Sequence, residues 1–560
     1  MNKMKINKKY IGITIGPIYK TLSMASKPRQ LWSASYLFSY LMRTLVEKFP
    51  SEKICILSPL VSKDESRKYG LYPDRLFAHV ENEISIEDVI KDTKTEFAEK
   101  FGPIDFKYFS IYSAEIEAED EAAAIRELNG ILDALELHQL ALLDSQEKSI
   151  RELIFKRYDS PLFQIAFGEG TFHIESLSQI SSAQLEQINK TKYSGVIDSE
   201  NRKNEKLKKE SIAAKNVERE GEYKKSLILK KDRIGDEDDL LIKSLKKEFG
   251  EEFKTYHKYV CIVHADGDNM GKIFNDIDKV KHVDGIESSQ RELIRTLSCR
   301  LAGFAEESCK LIEAFKGLPI YAGGDDLVFI APVVSNDILG NPQTIFDLVK
   351  TLDDKFNSLG FNNYFICKDG EKNTLSMSYG IAISYYKYPL SEALEMSRNL
   401  LFNTAKKVKN KNAIAWNLMK HSGSVVSGQY SKSDVGFVAA FNNLLENIDA
   451  GVLKQNYVSA VAHKISCSNT ILDIIKTASE SLPTEEDRLS VLKLRLDAFF
   501  EKTLEYTSKN AAGKRYLDAV HALLMHLLQS EEKIEEITSN VYAILRTSKF
   551  IKGLEEDHDE

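Results

Sequence analysis

The stretch GLPIYAGGDDLVFIAP, residues 317–332, places two apolar segments on either side of Gly323-Gly324-Asp325-Asp326. Each apolar segment has the β-branched and aromatic composition of a buried strand. Paired glycines between two such segments predict a tight hairpin, because a positive φ costs little only for glycine. Turn chemistry explains the glycines, but it does not explain two carboxylates directly after them.

A second acidic segment follows another apolar run, KYVCIVHADGD, residues 258–268. This run predicts a buried strand that presents Asp266 and Asp268 at its end. The surrounding periodicity predicts a helix over 290–315, a strand over 376–386 and a helix over 391–408. Together with the hairpin, we interpret these elements as the order β-α-β-β-α-β of a ferredoxin-like domain with extensions. In that topology the first strand lies beside the hairpin, so the acids of both segments are expected at one edge.

The N-terminal region repeats this order of elements. The predicted elements are a strand over 9–17, a helix over 30–49, strands over 55–60 and 75–80, a helix over 85–101, a strand over 106–116 and a helix over 119–143. The chain therefore contains two ferredoxin-like domains of related architecture.

The fold class that we predict is α+β, with a helical insertion between the two ferredoxin-like domains and a helical bundle at the C-terminus. The predicted domains are 1–145, 146–254, 255–416 and 417–560. The insertion contains a long Lys- and Glu-rich stretch that favours a solvated helix or a mobile loop, with a basic strip facing RNA as the alternative. From about Lys420 the pattern is helical and gives no strand signal.

Composition limits the class of protein. The chain has 560 residues, of which 43% are apolar and 29% charged, as in an ordinary water-soluble protein. No apolar run is long enough for a membrane span, and we expect a cytoplasmic protein that contacts no membrane. The six cysteines form no C-x-x-C pair, which argues against a zinc ribbon. The net charge of -8 argues against strong nucleic-acid binding by the isolated chain.

The converging carboxylates predict a site for Mg²⁺ or Mn²⁺, because clustered acids without a cation repel each other. Two such ions can bind a triphosphate, activate a hydroxyl and stabilise the leaving pyrophosphate. An EF-hand starting at Asp266 is excluded, since Met270 and Ile277 stand where oxygen ligands are needed. A P-loop is also excluded, because Gly267–Lys272 is one residue short and no Ser or Thr follows. A polar hairpin tip without function remains the alternative.

The motifs HADGDNMGK and YAGGDD, followed by SMSYGIAIS and LFNTAKKVKNKNAIAW, resemble the palm of nucleotidyl cyclases and diguanylate cyclases. More closely, the chain is similar to the large palm-polymerase subunit of Cmr-type (type III-B) CRISPR effector complexes. The opening YIGITIGPIYKTLSMASKPRQLWSASYLFSYLM and the segment YPDRLFA (72–78) are similar to the first palm-like domain of that subunit. The resemblance extends over nearly the whole chain, so both ferredoxin-like domains are expected to be palm/cyclase domains.

The resemblance implies roles for particular residues of this sequence. The implied metal ligands are Asp266, the carbonyl of Gly267, Asp325 and Asp326, with Asp268 either a further ligand or a solvated acid. Asp266, Asp325 and Asp326 are also the implied catalytic residues. The implied nucleotide contacts are Gly323, Gly324, Lys406 and Ser378. Lys406 is one of several neighbouring lysines, and the alternative for Ser378 is a small core residue. An acceptor pocket is expected near Gly16, Ser33, Ser35 and Asp74 of the first domain.

The function implied is an RNA-activated nucleotidyltransferase that uses ATP and two divalent ions to make an adenylate second messenger. The product implied is a cyclic oligoadenylate or a conjugate of ATP with S-adenosylmethionine. The implied partners are other Cmr-type subunits, guide RNA and target RNA. No HD nuclease is expected, since the only His-Asp pair is His558-Asp559, and the zinc-binding cysteines of many relatives are missing. A catalytically silent scaffold and a free-standing nucleotide cyclase are the alternatives.

Overall fold

The computed structural model describes residues 8–61, 68–102, 104–137, 144–155, 161–168, 174–215, 237–283, 285, 289–368, 371–449 and 451–555. Mixed α and β structure fills these ranges, with several separate sheets. The predicted α+β class is confirmed.

The first domain is built around a four-stranded antiparallel sheet of order β2-β3-β1-β4. Its elements are β1 Lys8–Gly16, α1 Ile18–Leu22, α2 Pro28–Lys48, β2 Ile54–Ser58, β3 Arg75–Val80, α3 Ile86–Phe101, β4 Ser110–Ala118 and α4 Glu121–Glu136. Helices α2 and α3 pack against each other, whereas α4 covers the central strand β1 and the edge strand β4. An added Cβ at Gly12 of β1 would lie 3.2 Å from Leu128 and Leu132 of α4, so the glycine permits this close packing.

The inserted region is helical throughout its described part. Its helices are α5 Asp144–Phe155, α6 Pro161–Phe167, α7 Leu177–Ser181, α8 Ala183–Ile188, α9 Lys190–Lys215 and α10 Glu237–Phe249. Apolar residues of α5 and α6 join the same core as α2, so the start of the insertion packs on the first domain. The first part of the charged stretch that favoured a helix or loop, up to Lys215, lies in α9, and residues 216–236 lie outside the described residues.

The second domain contains a six-stranded sheet of order β15-β14-β13-β5-β8-β7. Its elements are β5 Tyr259–Asp268, α11 Met270–Asn275, β6 Lys281–His282, α12 Gln290–Ala314, β7 Leu318–Gly323, β8 Asp326–Pro332, β9 Val334–Asn336, β10 Pro342–Thr344, α13 Ile345–Ser358, β11 Tyr364–Lys368, β12 Glu371–Thr374, β13 Ser376–Tyr385, α14 Leu390–Asn403, β14 Ala413–Met419 and β15 Val425–Ser431. The part β5-α12-β7-β8-α13-β13 is the expected ferredoxin-like unit, with β5 between β13 and β8.

The sheet extends beyond the predicted boundary at residue 416. Strand β14 runs parallel to β13, and β15 pairs antiparallel with β14 up to Ser431. The prediction that no strand follows Lys420 is therefore wrong. The segment VVSGQYS is short and rich in Ser and Gly, and Gly428 lies against the ring of Trp416, where only a residue without a Cβ fits.

The C-terminal region is a helical bundle attached to this sheet. Its helices are α15 Val435–Glu446, α16 Gln455–Ser466, α17 Asn469–Glu480, α18 Glu485–Leu504, α19 Ala511–Leu527 and α20 Ile534–Ile551. Helix α20 packs on β15, and the buried Trp416 Nε1 donates to Thr547 Oγ1 at 2.9 Å. The bundle and the second domain thus share one apolar core.

The two ferredoxin-like domains meet beside the hairpin that joins β7 and β8. Helix α2 packs on β7, and the backbone N–H of Ala322 donates to the carbonyl of Gly70 at 3.2 Å. The N–H of Leu60 also donates to Ser298 Oγ at 2.9 Å. First-domain residues therefore form one wall of the region in front of the hairpin. Within the ranges that the structure describes, no helix is both long and apolar enough to cross a bilayer.

Candidate catalytic edge of the second sheet

Strand register brings the two acidic segments together. In the β5–β8 ladder Ala265 pairs with Leu327, and in the β7–β8 ladder Gly323 pairs with Asp326. Continuing the β5–β8 register by one residue sets Asp266 opposite Asp326. On the other side of β5, Asp266 pairs with Ser378 of β13. The predicted convergence of Asp266 with the hairpin acids is what the sheet shows.

The hairpin tip has the geometry that its glycines predict. Gly324 has a φ of +79°, and Asp325 occupies the second position of the two-residue turn between β7 and β8. A glycine at the first turn position is typical of a type II′ hairpin. An added Cβ at Gly323 would lie 3.0 Å from Cε1 of Tyr321 and closer still to its hydroxyl group. A side chain at position 323 would therefore overlap the ring of Tyr321, and glycine avoids this overlap.

Asp325 lies directly over the end of β5. An ideal Cβ on Gly267 would be 2.9 Å from the Cβ of Asp325 and closer still to its carboxylate. The backbone of Gly267 is one of the groups that stabilise the charged form of this carboxylate by hydrogen bonding. Only a residue without a side chain at position 267 allows this approach.

The acids strongly perturb one another. Burial and the nearby charge of Asp266 raise the pKa of Asp325 to about 7. Burial and the charges of Asp266, Asp325 and Asp74 raise the pKa of Asp326 well above its usual value. Burial also raises the pKa of Asp266, although Lys406 opposes this shift. Burial is the largest cause of all three shifts and neighbouring acids add to it, so the ionised forms of these carboxylates are disfavoured unless a cation lies close by.

Lys406 partly supplies the missing positive charge. Its ammonium group contacts the carboxylate of Asp266 and donates to the carbonyl of Gly267 at 3.1 Å. These are two of the atoms that the sequence predicts as metal ligands. Among the residues that the structure describes, no group of three or more His, Cys, Asp or Glu is arranged around one metal-sized point. These oxygen atoms nevertheless suit a hard divalent cation. The carboxylate of Asp266 and the carbonyl of Gly267 already share the ammonium group of Lys406, whereas the two hairpin carboxylates form no ion pair among the described residues.

Two predicted ligands have other partners. Asp268 is fully buried, and its Oδ2 accepts from Ser376 Oγ at 2.8 Å, Ser378 Oγ at 2.8 Å and Asn412 N at 2.9 Å. Neither alternative predicted for Asp268 fits this arrangement, because its carboxylate is buried rather than solvated and these three donors occupy it in place of a metal ion. Ser378 is also fully buried, so its predicted contact with a nucleotide is wrong and the core-residue alternative holds. Both residues fasten strands rather than face a substrate.

The predicted acceptor residues divide into two groups. Ser33 and Ser35 are 0% and 1% exposed on α2, and their hydroxyl groups have no hydrogen-bond partner within the described part of the chain. Their prediction as pocket-lining residues is wrong, because both face the core. Gly16 lies at the open end of β1, next to Ile15, whose N–H donates to the carbonyl of Asp74 at 3.0 Å. The charge of Asp74 in turn acts on Asp326. Gly16 and Asp74 thus lie on the side of the first domain that faces the acids.

A cavity of ≈ 250 Å³ adjoins the hairpin between the two ferredoxin-like domains. The hairpin contributes Gly323, Gly324 and Asp325 to its wall. The first domain contributes Pro59, Pro73, Arg75 and Phe77, and the second adds Met270, Phe274 and Leu301. The walls are mostly apolar with a few polar groups, which is typical of small-molecule sites.

Sequence reasoning missed two residues at this edge. The partly buried side chain of Tyr321 lies close enough to the acids for the charges of Asp74, Asp326, Asp325 and Asp266 to act on its hydroxyl group. The ammonium of Lys411 lies close to those of Lys406 and Lys272. Tyr321 is two residues before Gly323 in the hairpin motif, so strand alternation could have placed it on the same face. Nothing in the sequence distinguishes Lys411 from its neighbouring lysines.

Two ferredoxin-like sheets, the second with carboxylates at the end of its first strand and at its central hairpin, define a palm-domain protein. Residues 259–415 match the family model described as Cas10/Cmr2, second palm domain. Residues 10–104 match the family model described as CRISPR-associated protein Cmr2, N-terminal. Two segments of the chain are thus similar to domains of the Cas10/Cmr2 family.

One curated relative and two solved structures extend this comparison. The CRISPR system Cmr subunit Cmr2 of Pyrococcus furiosus is 32% identical over 181 residues, which are 30% of this chain and only 19% of that protein. A chain in the apo state of type III-B Cmr-β superposes on this chain with a TM-score of 0.55 at 12% identity. The match covers 99% of this chain and 82% of the Cmr-β chain. For Cmr-β bound to cognate target RNA the TM-score is 0.51 at 12% identity, with coverages of 89% and 78%. At such low identity these structures show a shared fold.

Replacing Asp325 by Asn is expected to stabilise the ligand-free chain at pH 8 by ~2 kcal/mol. A raised pKa means that the folded state binds more protons than the unfolded state between pH 4 and pH 7. The contribution of this carboxyl group to the free energy of unfolding therefore falls as the pH rises through that window. Asparagine does not titrate, so the variant does not lose this stability. Urea unfolding of both proteins at pH 5 and pH 8 should show a gain that is larger at pH 8.

Asp337→Asn is the control for this measurement. Asp337 lies in an exposed turn, where hydrogen bonds from Asn341 lower the pKa of its carboxyl group. The substitution should therefore leave stability unchanged or lower it at pH 8, the opposite sign. If the Asp325→Asn protein were less stable than the parent at pH 8, the ionised carboxylate of Asp325 would not destabilise the folded chain, which contradicts the prediction.

Proposed function

We propose that this chain is the RNA-activated nucleotidyltransferase subunit of a type III-B CRISPR antiviral complex and makes an adenylate second messenger from ATP. One observation carries the proposal. Asp266, Asp325 and Asp326 converge at one sheet edge beside an interdomain cavity, where burial and neighbouring acids disfavour their ionised forms and a bound cation would favour them. The matches to the Cmr2 N-terminal and second palm domains supply the biological setting.

The metal-binding residues in this proposal are Asp266, the carbonyl of Gly267, Asp325 and Asp326. Two Mg²⁺ or Mn²⁺ ions, when bound, would offset triphosphate charge, favour loss of the proton from an attacking 3′-hydroxyl and stabilise the leaving pyrophosphate. The chain's own contribution is to hold the carboxylates at fixed positions, since β5 and β8 are hydrogen-bonded neighbours in the centre of the sheet. Such preorganisation is a major source of catalytic power in phosphoryl and nucleotidyl transfer.

Lys406 has a place in this proposal as a ligand of the phosphates. Its side chain is 14% exposed and already lies against Asp266 and Gly267. The ammonium can turn from the carboxylate towards an incoming triphosphate with a small rearrangement of a flexible side chain. Gly323 and Gly324 allow a nucleotide to approach the backbone of the hairpin.

The second substrate in this proposal enters from the side of the first domain. Gly16 and Asp74 lie on that side, and the cavity of ≈ 250 Å³ is bounded by residues that flank Asp74. Either a second ATP or S-adenosylmethionine could be the acceptor there, leading to a cyclic oligoadenylate or to an ATP–methionine conjugate. The chemistry at the three acids is the same in both reactions.

The partners in this proposal are other Cmr-type subunits, guide RNA and target RNA. The two similar structures are of type III-B Cmr-β, in one case bound to cognate target RNA. The net charge of -8 supports contact with RNA through the complex rather than by this chain alone. Helices α17 and α18 carry exposed large apolar side chains, which suit contact with another subunit. They are Ile471, Ile474, Leu489 and Leu494.

The test is product analysis by mass spectrometry, using the complex with guide and target RNA and ATP as substrate, with and without S-adenosylmethionine. If the proposal is right, pyrophosphate and an adenylate product form only when target RNA is present. A product that requires S-adenosylmethionine identifies the conjugate, and one formed from ATP alone identifies an oligoadenylate. Turnover by the isolated chain without RNA would instead indicate a free-standing cyclase.

A catalytically silent scaffold is the second candidate function. The ion pair between Lys406 and Asp266 favours it, because the ammonium occupies atoms that a metal ion would need. The scaffold hypothesis expects no nucleotide product from the RNA-bound complex under any of these conditions. The high pKa values of Asp325 and Asp326 speak against it, since a purely structural edge gains nothing from paired acids.

A further inference from the structure

Another cavity, of ≈ 390 Å³, lies on the face of the six-stranded sheet that is turned away from the catalytic acids. Asp266 pairs with Ser378 and therefore shares its face, whereas the next residue, Tyr379, points to the opposite face. Residues of α13 and α15 line the cavity, together with residues of β13, β14 and β15. The cavity is therefore separate from the candidate catalytic edge.

A charge pair forms the polar part of the cavity wall. The ammonium of Lys432 donates to the two carboxylate oxygens of Asp353 at 2.7 and 2.6 Å, and the hydroxyl of Tyr379 donates to the same carboxylate at 2.9 Å. The side chains of Lys432 and Asp353 are only 12% and 19% exposed. Burial lowers the pKa of Lys432 and raises the pKa of Asp353. A pair buried in this way is unfavourable unless its hydrogen bonds are complete.

These contacts do not use the full hydrogen-bonding capacity of the pair. Among the hydrogen bonds between described residues, the ammonium of Lys432 donates only to Asp353, and the carboxylate accepts only from Lys432 and Tyr379. A carboxylate offers more acceptor sites, and an ammonium more donor hydrogens, than these contacts occupy. Because Asp353 and Lys432 both line the cavity, a ligand there meets an acceptor and a donor side by side.

Aromatic rings form the apolar part of the wall. The ring of Tyr430 is partly exposed and lies 5.6 Å from that of Phe441, which in turn lies 5.5 Å from that of Phe346, measured between centroids. All three residues line the cavity. Aromatic side chains stack on planar heterocycles with little preference among them, so the hydrogen bonds of the charge pair would decide which ring binds.

The mouth of the cavity is polar without being basic. Two exposed acids, Asp347 and Asp354, accompany the exposed Lys350. Such a rim does not attract a phosphate group. Carboxamides, which can bond the hydroxyl groups of a sugar, complete the mouth. They belong to Asn357, Asn362 and Asn442.

We propose that this cavity binds a nucleoside, whose base lies against Tyr430 and bonds the pair formed by Asp353 and Lys432. The edge of a nucleobase presents donors and acceptors next to each other, as the amino group and ring nitrogen of adenine do. The volume lies in the range of small-molecule sites. The inference does not rest on the proposed function, because none of these residues belongs to the catalytic edge.

The test is calorimetric titration of the full-length chain with adenosine, guanosine, cytidine and uridine, all without phosphate. At least one of them should bind with a Kd of about 1 mM or less. The Asp353→Asn, Lys432→Met variant removes both charges together, so it leaves no unpaired buried charge and should fold. It should weaken nucleoside binding about tenfold or more. Asn442→Trp, which puts a large ring at the exposed mouth, should block entry even if the first variant does not fold.

The matched control is the Glu313→Gln, Lys68→Met variant. Lys68 and Tyr69 donate to Glu313 in the same arrangement, and none of the three lines this cavity. The control should change the affinity less than about twofold.

Three results would overturn the inference. They are no binding of any of the four nucleosides, unchanged binding by both cavity variants, and loss of binding in the Asp325→Ala, Asp326→Ala variant. The last result would place the nucleoside at the catalytic edge instead. None of the three bears on whether the RNA-activated complex makes an adenylate product.

Discussion

Replacing Asp325 and Asp326 together by alanine is expected to lower product formation about 10³-fold or more. The two carboxylates are the acids of the hairpin: burial and the charge of Asp266 raise the pKa of both, and the charge of Asp325 also acts on Asp326. Without them, the edge has too few oxygens to hold divalent ions against a triphosphate. The measurement is the initial rate of pyrophosphate release by the RNA-activated complex.

The same variant should leave assembly of the complex and its binding of target RNA unchanged. Removing two like charges relieves repulsion in the ligand-free chain, so we expect no loss of folding stability. Size-exclusion chromatography and an RNA-binding titration provide the controls. Loss of assembly would mean that the hairpin acids are structural, and full activity would mean that the reacting centre lies elsewhere.

Gly267→Ala is expected to lower the rate about 100-fold while the chain remains folded. The added methyl group cannot coexist with the present position of Asp325, whose Cβ would be 2.9 Å away. The hairpin tip must therefore move by a fraction of an ångström or more, and catalysis depends steeply on such displacements. The initial rate and the thermal unfolding temperature are measured together.

Gly271→Ala is the matched control, because it lies four residues further along the same motif. An added Cβ there has no described neighbour within 4 Å, and the residue belongs to helix α11, where alanine is favoured. This variant should retain the parent rate. Equal losses from Gly267→Ala and Gly271→Ala would show that the close approach of Asp325 to β5 does not matter for the reaction.

Much of the fold could be predicted because its central strands have clear signals. The apolar runs that become β1, β5, β7 and β8 end in glycine, proline or acidic residues, and each is found within two residues of its predicted limits. The order of these elements, with the ferredoxin-like topology, was sufficient to place Asp266 beside the hairpin. Strand β15 could not be predicted, because its polar, glycine-containing sequence forms a strand only by pairing with β14.

The parts of the site that were predicted wrongly concern burial, which a motif does not reveal. Asp268 and Asp266 are two residues apart on one strand, so the sequence treats them as equivalent acids. The difference arises from Ser376, Ser378 and Asn412, which come from distant segments and surround only Asp268. Ser33 and Ser35 are similar cases, since helix packing against β7 turns their hydroxyl groups to the core.

The most direct test of the central claim is the binding of Mn²⁺ by the full-length chain in the presence of a non-hydrolysable ATP analogue, followed by electron paramagnetic resonance. The parent chain should bind Mn²⁺ together with the analogue, whereas Asp266→Asn and the Asp325→Ala, Asp326→Ala variant should lose this binding. Equal Mn²⁺ binding by the parent and both variants would contradict the central claim.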